Sequence, residues 1–305
     1  MLSVFSNFSF ANRGLNVIQI GNKASKLNLL VVAGLMLSVS SPGYSADATV
    51  RGEYKMVSRA PRNFEFAAAG SLDVGELGYK AYRDGDLTLA INYFTQAINK
   101  DPQNISAVID RAYARQDSGD YINAIADFQQ PRIAPLQPSC LVGVGYCHTN
   151  LNNFSAAMQD FTASLALDKR SESAVSAYAG RAAVKRTLHD IPGALSDCDA
   201  ALALNPDSGD ARWQRAVTFY LSQQFAKAVP DLMIVVDKSP RFADAHFMLA
   251  QCYQKLGNKS GAIAEYQKAN YLYQQAHDDD GIQQTNTALK VLQANLNTQN
   301  SDAKG

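Results

Sequence analysis

The chain has no net charge and lacks two kinds of short motif that mark common enzyme classes. Its 305 residues include 28 basic and 28 acidic side chains, so the formal net charge is zero. Nucleic-acid-binding domains usually carry a basic surface, and this composition argues against a nucleic-acid partner. The sequence also has no glycine-rich phosphate loop and no nucleophile motif. We therefore expect a protein that is not an enzyme and that uses no cofactor.

Histidine and cysteine are scarce, and their spacing indicates neither a metal site nor a disulfide framework. The four histidines do not have the spacing of metal ligands. The acidic stretch HDDDG at 277–281 is more typical of a solvated turn than of a cation site. We expect the cysteines to be small core residues with free thiols. They are Cys140, Cys147, Cys198 and Cys252.

Long apolar runs are missing except for one near the N-terminus. Residues 27–39, LNLLVVAGLMLSV, follow only basic charges and precede the triplet ADA at 46–48, which has the small-x-small form that signal peptidase cleaves. The run is shorter than the roughly 20 residues of a membrane-spanning helix. We predict a signal peptide over residues 1–48 and an exported protein, periplasmic or secreted, with an uncleaved membrane anchor as the alternative. Residues 49–70 are expected to form a flexible linker.

The rest of the sequence repeats with a period of about 34 residues. An alanine recurs at steps of 34, 33, 37, 34 and 34 residues. A larger side chain follows each alanine four positions later, and a glycine or alanine precedes it by twelve. The repeat alanines are Ala90, Ala124, Ala157, Ala194, Ala228 and Ala262. The spacing places the alanine and the larger residue on one face of a helix. Turn-forming stretches such as DGD at 84–86 predict two helices per unit.

This pattern resembles the tetratricopeptide repeat. The small and bulky positions carry the resemblance, together with prolines that end the units at 102, 206 and 240. It implies an all-α, right-handed superhelical solenoid of six helix-turn-helix units over residues 71–276. We place the units at 71–104, 105–137, 138–171, 175–208, 209–242 and 243–276.

The ends of the array and two of its units have features of their own. Apolar residues at 282, 289, 292 and 296 predict a C-terminal capping helix over 279–297, followed by a disordered tail over 298–305. Proline is strongly unfavourable inside a helix, so we expect the second helix of the second unit to end near Gln130, before Pro131. The fourth unit has three additional residues, Glu172 to Ala174, which we place in the connecting loop.

The resemblance also implies a concave groove, lined by the first helix of each unit, in which partners bind. Aromatic side chains dominate many recognition surfaces, and they define the candidate binding residues here. These are Tyr79, Tyr82, Tyr113, Tyr146, Trp213, Tyr220 and Phe247. The alternative is that several of the tyrosines pack in the core with their hydroxyl groups at the rim.

Two further comparisons with the family concern charged residues. The chaperone-binding members hold a terminal carboxylate with Lys, Asn and Arg on three first helices, and the comparable positions here are Glu76, Asp110 and Gly143, so we expect no such clamp. Arginine occupies a usually apolar position in three units, each time 16 residues before an aspartate. These residues are Arg111 with Asp127, Arg181 with Asp197, and Arg215 with Asp231. We expect structural ion pairs, because desolvated charges need partners.

The sequence thus predicts a non-enzymatic scaffold that binds a peptide or protein segment in its concave groove. One alternative is a structural or assembly subunit of an envelope complex that uses its edge and terminal helix. A second is a glycan- or peptidoglycan-binding module, since aromatic side chains also stack on sugars.

Overall fold

The computed structural model describes residues 73–130 and 137–302, with side chains described as far as Ala294. These residues form thirteen α-helices and no strand. The helices are α1 (Val74–Asp84), α2 (Leu87–Lys100), α3 (Ile105–Ser118), α4 (Tyr121–Phe128), α5 (Pro138–Asn150), α6 (Phe154–Leu167), α7 (Glu172–Thr187), α8 (Ile191–Leu204), α9 (Gly209–Leu221), α10 (Phe225–Lys238), α11 (Ala243–Lys255), α12 (Lys259–Ala276) and α13 (Asp279–Asp302). The predicted signal peptide and linker lie outside the described residues.

The helices stack in pairs along the chain. Each helix packs on the next, and the first helices α1, α3, α5, α7 and α9 also contact one another in sequence. Odd-numbered helices therefore share one side of the stack, and six helix pairs are followed by the terminal helix α13. This arrangement confirms the predicted all-α solenoid of helix-turn-helix units. None of the helices described here combines the length and the apolar character needed to cross a membrane.

Close approach between helices explains why each repeat unit has small residues at the same positions. The repeat alanine is fully buried in all six units. A Cβ atom placed on Gly145 would lie 2.7 Å from the ring of Phe161, and one on Gly180 of the next unit would lie 2.5 Å from the same ring. One aromatic side chain thus fills the space left by a small residue in its own unit and by another in the unit that follows.

We expect Ala228→Leu to destabilise the fold by about 1–3 kcal/mol, the usual range for overpacking. Ala228 is 0% exposed in the core between α9 and α10. Ala226 lies two residues earlier on the exposed side of the same helix, so Ala226→Leu should change stability by no more than about 0.5 kcal/mol. Urea denaturation of the two variants measures the difference, and equal midpoints would show that the assigned register is wrong.

The structure confirms one of the predicted irregularities and corrects two others. Helix α4 ends at Phe128, close to the predicted end near Gln130. The additional residues of the fourth unit are not in a loop, because α7 begins at Glu172 and Ala174 is buried. Helix α13 continues to Asp302 rather than ending at 297, since no proline or glycine interrupts the sequence before Gly305. Residues 298–302, predicted as part of a tail, are therefore helical.

Helix α13 closes the C-terminal end of the array, as expected for a cap. Leu292 is buried, and Ile282 and Leu289 are half-buried. Gly281 lies directly against the ring of Tyr273, where a Cβ atom would approach to 2.5 Å. The Tyr273 hydroxyl donates to Asp244 Oδ1 at 2.5 Å, and burial together with that carboxylate raises the pKa of Tyr273. The terminal helix thus packs on a tyrosine that is itself tied to α11.

Candidate functional site: a tyrosine-lined groove

Four of the predicted binding residues line a single cavity on the side of the first helices. The cavity has a volume of about 230 Å³ and lies among α1, α3, α5 and α7. Tyr79 and Tyr82 come from α1, Tyr113 from α3 and Tyr146 from α5. We call this cavity and its lining the tyrosine groove. Three successive first helices therefore contribute tyrosines to the same cavity.

Aromatic packing and hydrogen bonds hold two of these rings in place. Tyr113 packs edge-to-face on Phe128, with ring centroids 5.0 Å apart, and Tyr146 packs in the same way on Phe161 at 5.1 Å. The Tyr113 hydroxyl donates to the carbonyl oxygen of Ser139 at 3.3 Å, and the Tyr146 hydroxyl donates to that of Ser176 at 3.0 Å. Each tyrosine thus packs on the aromatic residue of its own unit and bonds to the first helix of the next.

The four tyrosines differ in exposure. Tyr79, Tyr82 and Tyr113 are half-buried, whereas Tyr146 is 3% exposed and belongs to the core around Phe161. Tyr146 therefore contributes one edge to the groove and is mainly a packing residue. The prediction that it is an exposed binding contact is wrong. The Tyr82 hydroxyl donates to Asp117 Oδ2 at 2.5 Å, so this ring is also fixed from outside the cavity.

Most polar residues of the lining were not among the predicted site residues. They are Asp110, Gln116, Ser139, Glu172, Ser173 and Ser176. Glu172 and Ser173 reach the groove because the three additional residues of the fourth unit extend α7 by about one turn. The sequence does contain a signal for the other four. Asp110 and Gln116 lie three residues, about one helical turn, from Tyr113, and Ser139 lies seven residues, about two turns, before Tyr146. Ser176 holds the position in α7 that Ser139 holds in α5.

The remaining predicted site residues lie elsewhere. Trp213 is 1% exposed in the core of the fifth and sixth units, where Phe242 packs on it edge-to-face at 4.8 Å. Its prediction as a groove residue is wrong, because the segment leading into the next first helix covers it. Tyr220 and Phe247 are half-buried and pack on Phe225 and Tyr266, respectively. None of these three lines the tyrosine groove.

The predicted arginine–aspartate pairs are confirmed, and each has a second cation. Every aspartate is buried and accepts two hydrogen bonds from the arginine 16 residues earlier, at distances from 2.7 to 2.9 Å. The second cation comes from the same first helix. It is Arg115 for Asp127, Lys185 for Asp197 and Arg212 for Asp231. These clusters join the two helices of a unit, so their role is structural.

Two further units use histidine in the same place. His148 Nδ1 lies 2.6 Å from Asp160 Oδ2, and His246 Nδ1 lies 2.6 Å from Glu265 Oε2. Burial raises the pKa of Asp160, and His148 opposes that shift. The sequence analysis did not predict these histidine pairs, although all five acids stand three residues after a repeat alanine.

The cysteines are core residues, as predicted. All four are buried, and burial raises the pKa of both Cys147 and Cys252 to about 12. Their thiols are therefore protonated at neutral pH and unsuited to nucleophilic chemistry. Over the described residues, no group of three or more His, Cys, Asp and Glu side chains could hold a metal ion.

Comparisons with known proteins identify the repeat. Residues 222–277 match the family model described as Tetratricopeptide repeat. Hsp70-Hsp90 organizing protein 2 of Arabidopsis thaliana is 29% identical over 201 residues, which cover 63% of this chain and 34% of that protein. The chain thus spans about a third of the length of this relative.

Solved structures show the same fold. The crystal structure of the APC/C hetero-tetramer Cut9-Hcn1 superimposes with a TM-score of 0.64 at 17% identity, over 72% of this chain and 42% of that chain. The structure of PilW, a type IV pilus biogenesis factor, superimposes with a TM-score of 0.57 at 20% identity, over 71% and 99% of the two chains. Residues 222–277 thus match a tetratricopeptide repeat, and the six stacked helix pairs have the fold of tetratricopeptide repeat proteins.

Proposed function

We propose that the chain is a protein-interaction scaffold whose tyrosine groove binds an extended segment of a partner protein. The observation that carries the proposal is the single cavity to which four successive first helices contribute side chains. A segment lying across these helices would contact four units at once. The name of the Arabidopsis relative, an organizing protein for two others, is consistent with a protein partner.

The groove residues suit this role energetically. Aromatic rings bury large areas with few rotatable bonds, and they are enriched among the residues that dominate binding energy. Packing on Phe128 and the bond to Ser139 hold the Tyr113 ring in place before a partner arrives, which lowers the entropy cost of binding. The positions that would form a carboxylate clamp hold Glu76, Asp110 and Gly143, which disfavours a chaperone C-terminus as the ligand.

Selection from a displayed library of random twelve-residue peptides tests the proposal with the full chain. We expect selected peptides to bind the double variant Tyr79→Ala/Tyr82→Ala at least about tenfold more weakly, as for residues that dominate binding. Both rings are half-buried at the N-terminal end of the array, so most of the helical signal in circular dichroism should persist. Tyr146 is left unchanged because its truncation would also remove core packing.

The matched control is Tyr271→Ala. Tyr271 is 55% exposed on α12, outside the groove lining, so its truncation should leave the affinity for the selected peptides unchanged. Peptides that bind the double variant and the unchanged chain equally well would place the binding surface outside the tyrosine groove and contradict the proposal.

A further inference from the structure

Among the residues that the structure describes, the charged side chains that line the tyrosine groove are all acidic. Thirteen described residues line the cavity, and among them are Asp110 and Glu172 but no lysine, arginine or histidine. Asp110 is half-buried on α3, and Glu172 is exposed in the first turn of α7. A bound group with negative charge would face both carboxylates, whereas a cation would be attracted by them.

The aromatic part of the lining favours the same ligand charge. Five aromatic side chains line the cavity, those of Phe94, Tyr79, Tyr82, Tyr113 and Tyr146. The face of an aromatic ring attracts a cation within about 6 Å of its centroid, and desolvation strengthens the attraction. The chain itself contains one such contact at the edge of the groove, where the exposed Arg83 guanidinium lies 5.9 Å from the centroid of Tyr79.

The size of the cavity limits what can enter. At about 230 Å³ it is smaller than the roughly 300–1,000 Å³ typical of sites that enclose a whole small molecule. One long side chain of a bound segment fits this volume better. The three serine hydroxyls of the lining, on Ser139, Ser173 and Ser176, can accept hydrogen bonds from its donors.

We propose that the tyrosine groove takes an arginine or lysine side chain of the partner segment. The rings flank the cationic group and its aliphatic stem, and Asp110 and Glu172 act as its counter-ions. This inference rests on the proposed function and assigns its ligand chemistry, which is opposite in charge to the carboxylate ligands of the chaperone-binding family members.

The peptide selection described above tests this assignment directly. Peptides that depend on Tyr79 and Tyr82 should share an arginine or lysine at one position. Replacing that arginine with citrulline, which has the same shape and no charge, or acetylating that lysine, should weaken binding to the unchanged protein about tenfold or more. This arm alters only the peptide, so it does not depend on how well a protein variant folds.

The protein-side arm uses the double variant Asp110→Asn/Glu172→Gln. This variant should bind the basic peptide about tenfold more weakly than the unchanged chain does. Its affinity for the citrulline or acetyl-lysine peptide should be unchanged. The control Asp237→Asn/Asp279→Asn removes two negative charges at exposed positions outside the lining. It should bind the basic peptide as the unchanged chain does. This control distinguishes the effect of local contacts in the groove from the effect of the protein's net charge.

Three results would overturn the inference. Peptides that require the tyrosines but have no basic residue would retain the groove as a binding site and reject the cationic ligand. Equal binding of the arginine and citrulline peptides would do the same. If the groove and control double variants lost the same affinity for the basic peptide, the effect would come from net charge and not from contacts in the groove. Selected peptides indifferent to Tyr79 and Tyr82, by contrast, contradict the proposed function itself.

Discussion

Replacing Asp231 with alanine is expected to lower the free energy of unfolding by about 3 kcal/mol. The Asp231 side chain is 3% exposed and accepts hydrogen bonds from Arg215 at 2.7 and 2.9 Å and from Arg212 at 3.1 Å. Its removal leaves two guanidinium groups around an empty space between α9 and α10. Because these groups are still 19% and 25% exposed, some water reaches them, and the cost falls at the lower end of the 3–5 kcal/mol typical of a broken buried pair.

Urea denaturation of the full chain measures this cost, and Asp237→Ala is the matched control. Asp237 lies on the same helix but is exposed, so its removal should cost no more than about 0.5 kcal/mol. Asp231→Asn keeps the shape of the side chain and removes the charge, and it should fall between the two. Equal midpoints for Asp231→Ala and Asp237→Ala would contradict a structural role for the cluster.

Phe161→Ala should destabilise the chain by about 3–5 kcal/mol, the range for truncating a buried phenylalanine. Phe161 is 0% exposed and is bounded by two glycines, Gly145 in its own unit and Gly180 in the next. Neither glycine has a side chain that could move into the cavity, so little relaxation is available. The loss should be accompanied by faster hydrogen exchange across α5, α6 and α7, because this ring joins two units.

Two variants control for this prediction. Leu167→Ala on the same helix removes a side chain that is 55% exposed, and it should change the midpoint little. Gly180→Ala should destabilise the unchanged protein, since its methyl group would lie 2.5 Å from the Phe161 ring. In the Phe161→Ala background the methyl group no longer meets Phe161 and lies 3.0 Å from Tyr146 Cζ, so the double variant should lose less stability than the sum of the two single losses. A purely additive loss would contradict the packing described for this site.

Sequence reasoning located the groove better than its individual residues. Tyr79, Tyr82 and Tyr113 line the cavity because their register relative to the small residue defines the helical face, and their role in binding remains a prediction. Trp213 was misplaced because a periodic pattern gives the direction of a side chain but not what lies over it. Here Phe242, which directly precedes α11, closes over the indole. Tyr146 was misjudged for a similar reason, since Phe161 and the first turns of α7 bury most of its ring.

The misplaced residues of the fourth unit had a larger consequence. An insertion of three residues is usually accommodated in a loop, and for this reason the sequence predicts a loop at Glu172 to Ala174. Ser171 instead caps the helix with its side chain and Ala174 is buried, so the insertion lengthens α7. That added turn brings Glu172 and Ser173 to the groove, and with them half of the acidic charge from which its ligand is inferred.

The sequence by itself determined the helix pairs, their number, the repeat family, and the arginine–aspartate pairs, because each depends on spacing within one repeat or between neighbouring helices. Only the tertiary structure decided which aromatic residues share a cavity and which charges accompany them. Those properties arise where side chains from four units meet, and residues such as Tyr79 and Glu172 are brought together by stacking rather than by any spacing along the chain. The burial of a side chain depends on all of its neighbours in the fold, whereas the repeat period in the sequence gives information about only one of those neighbours.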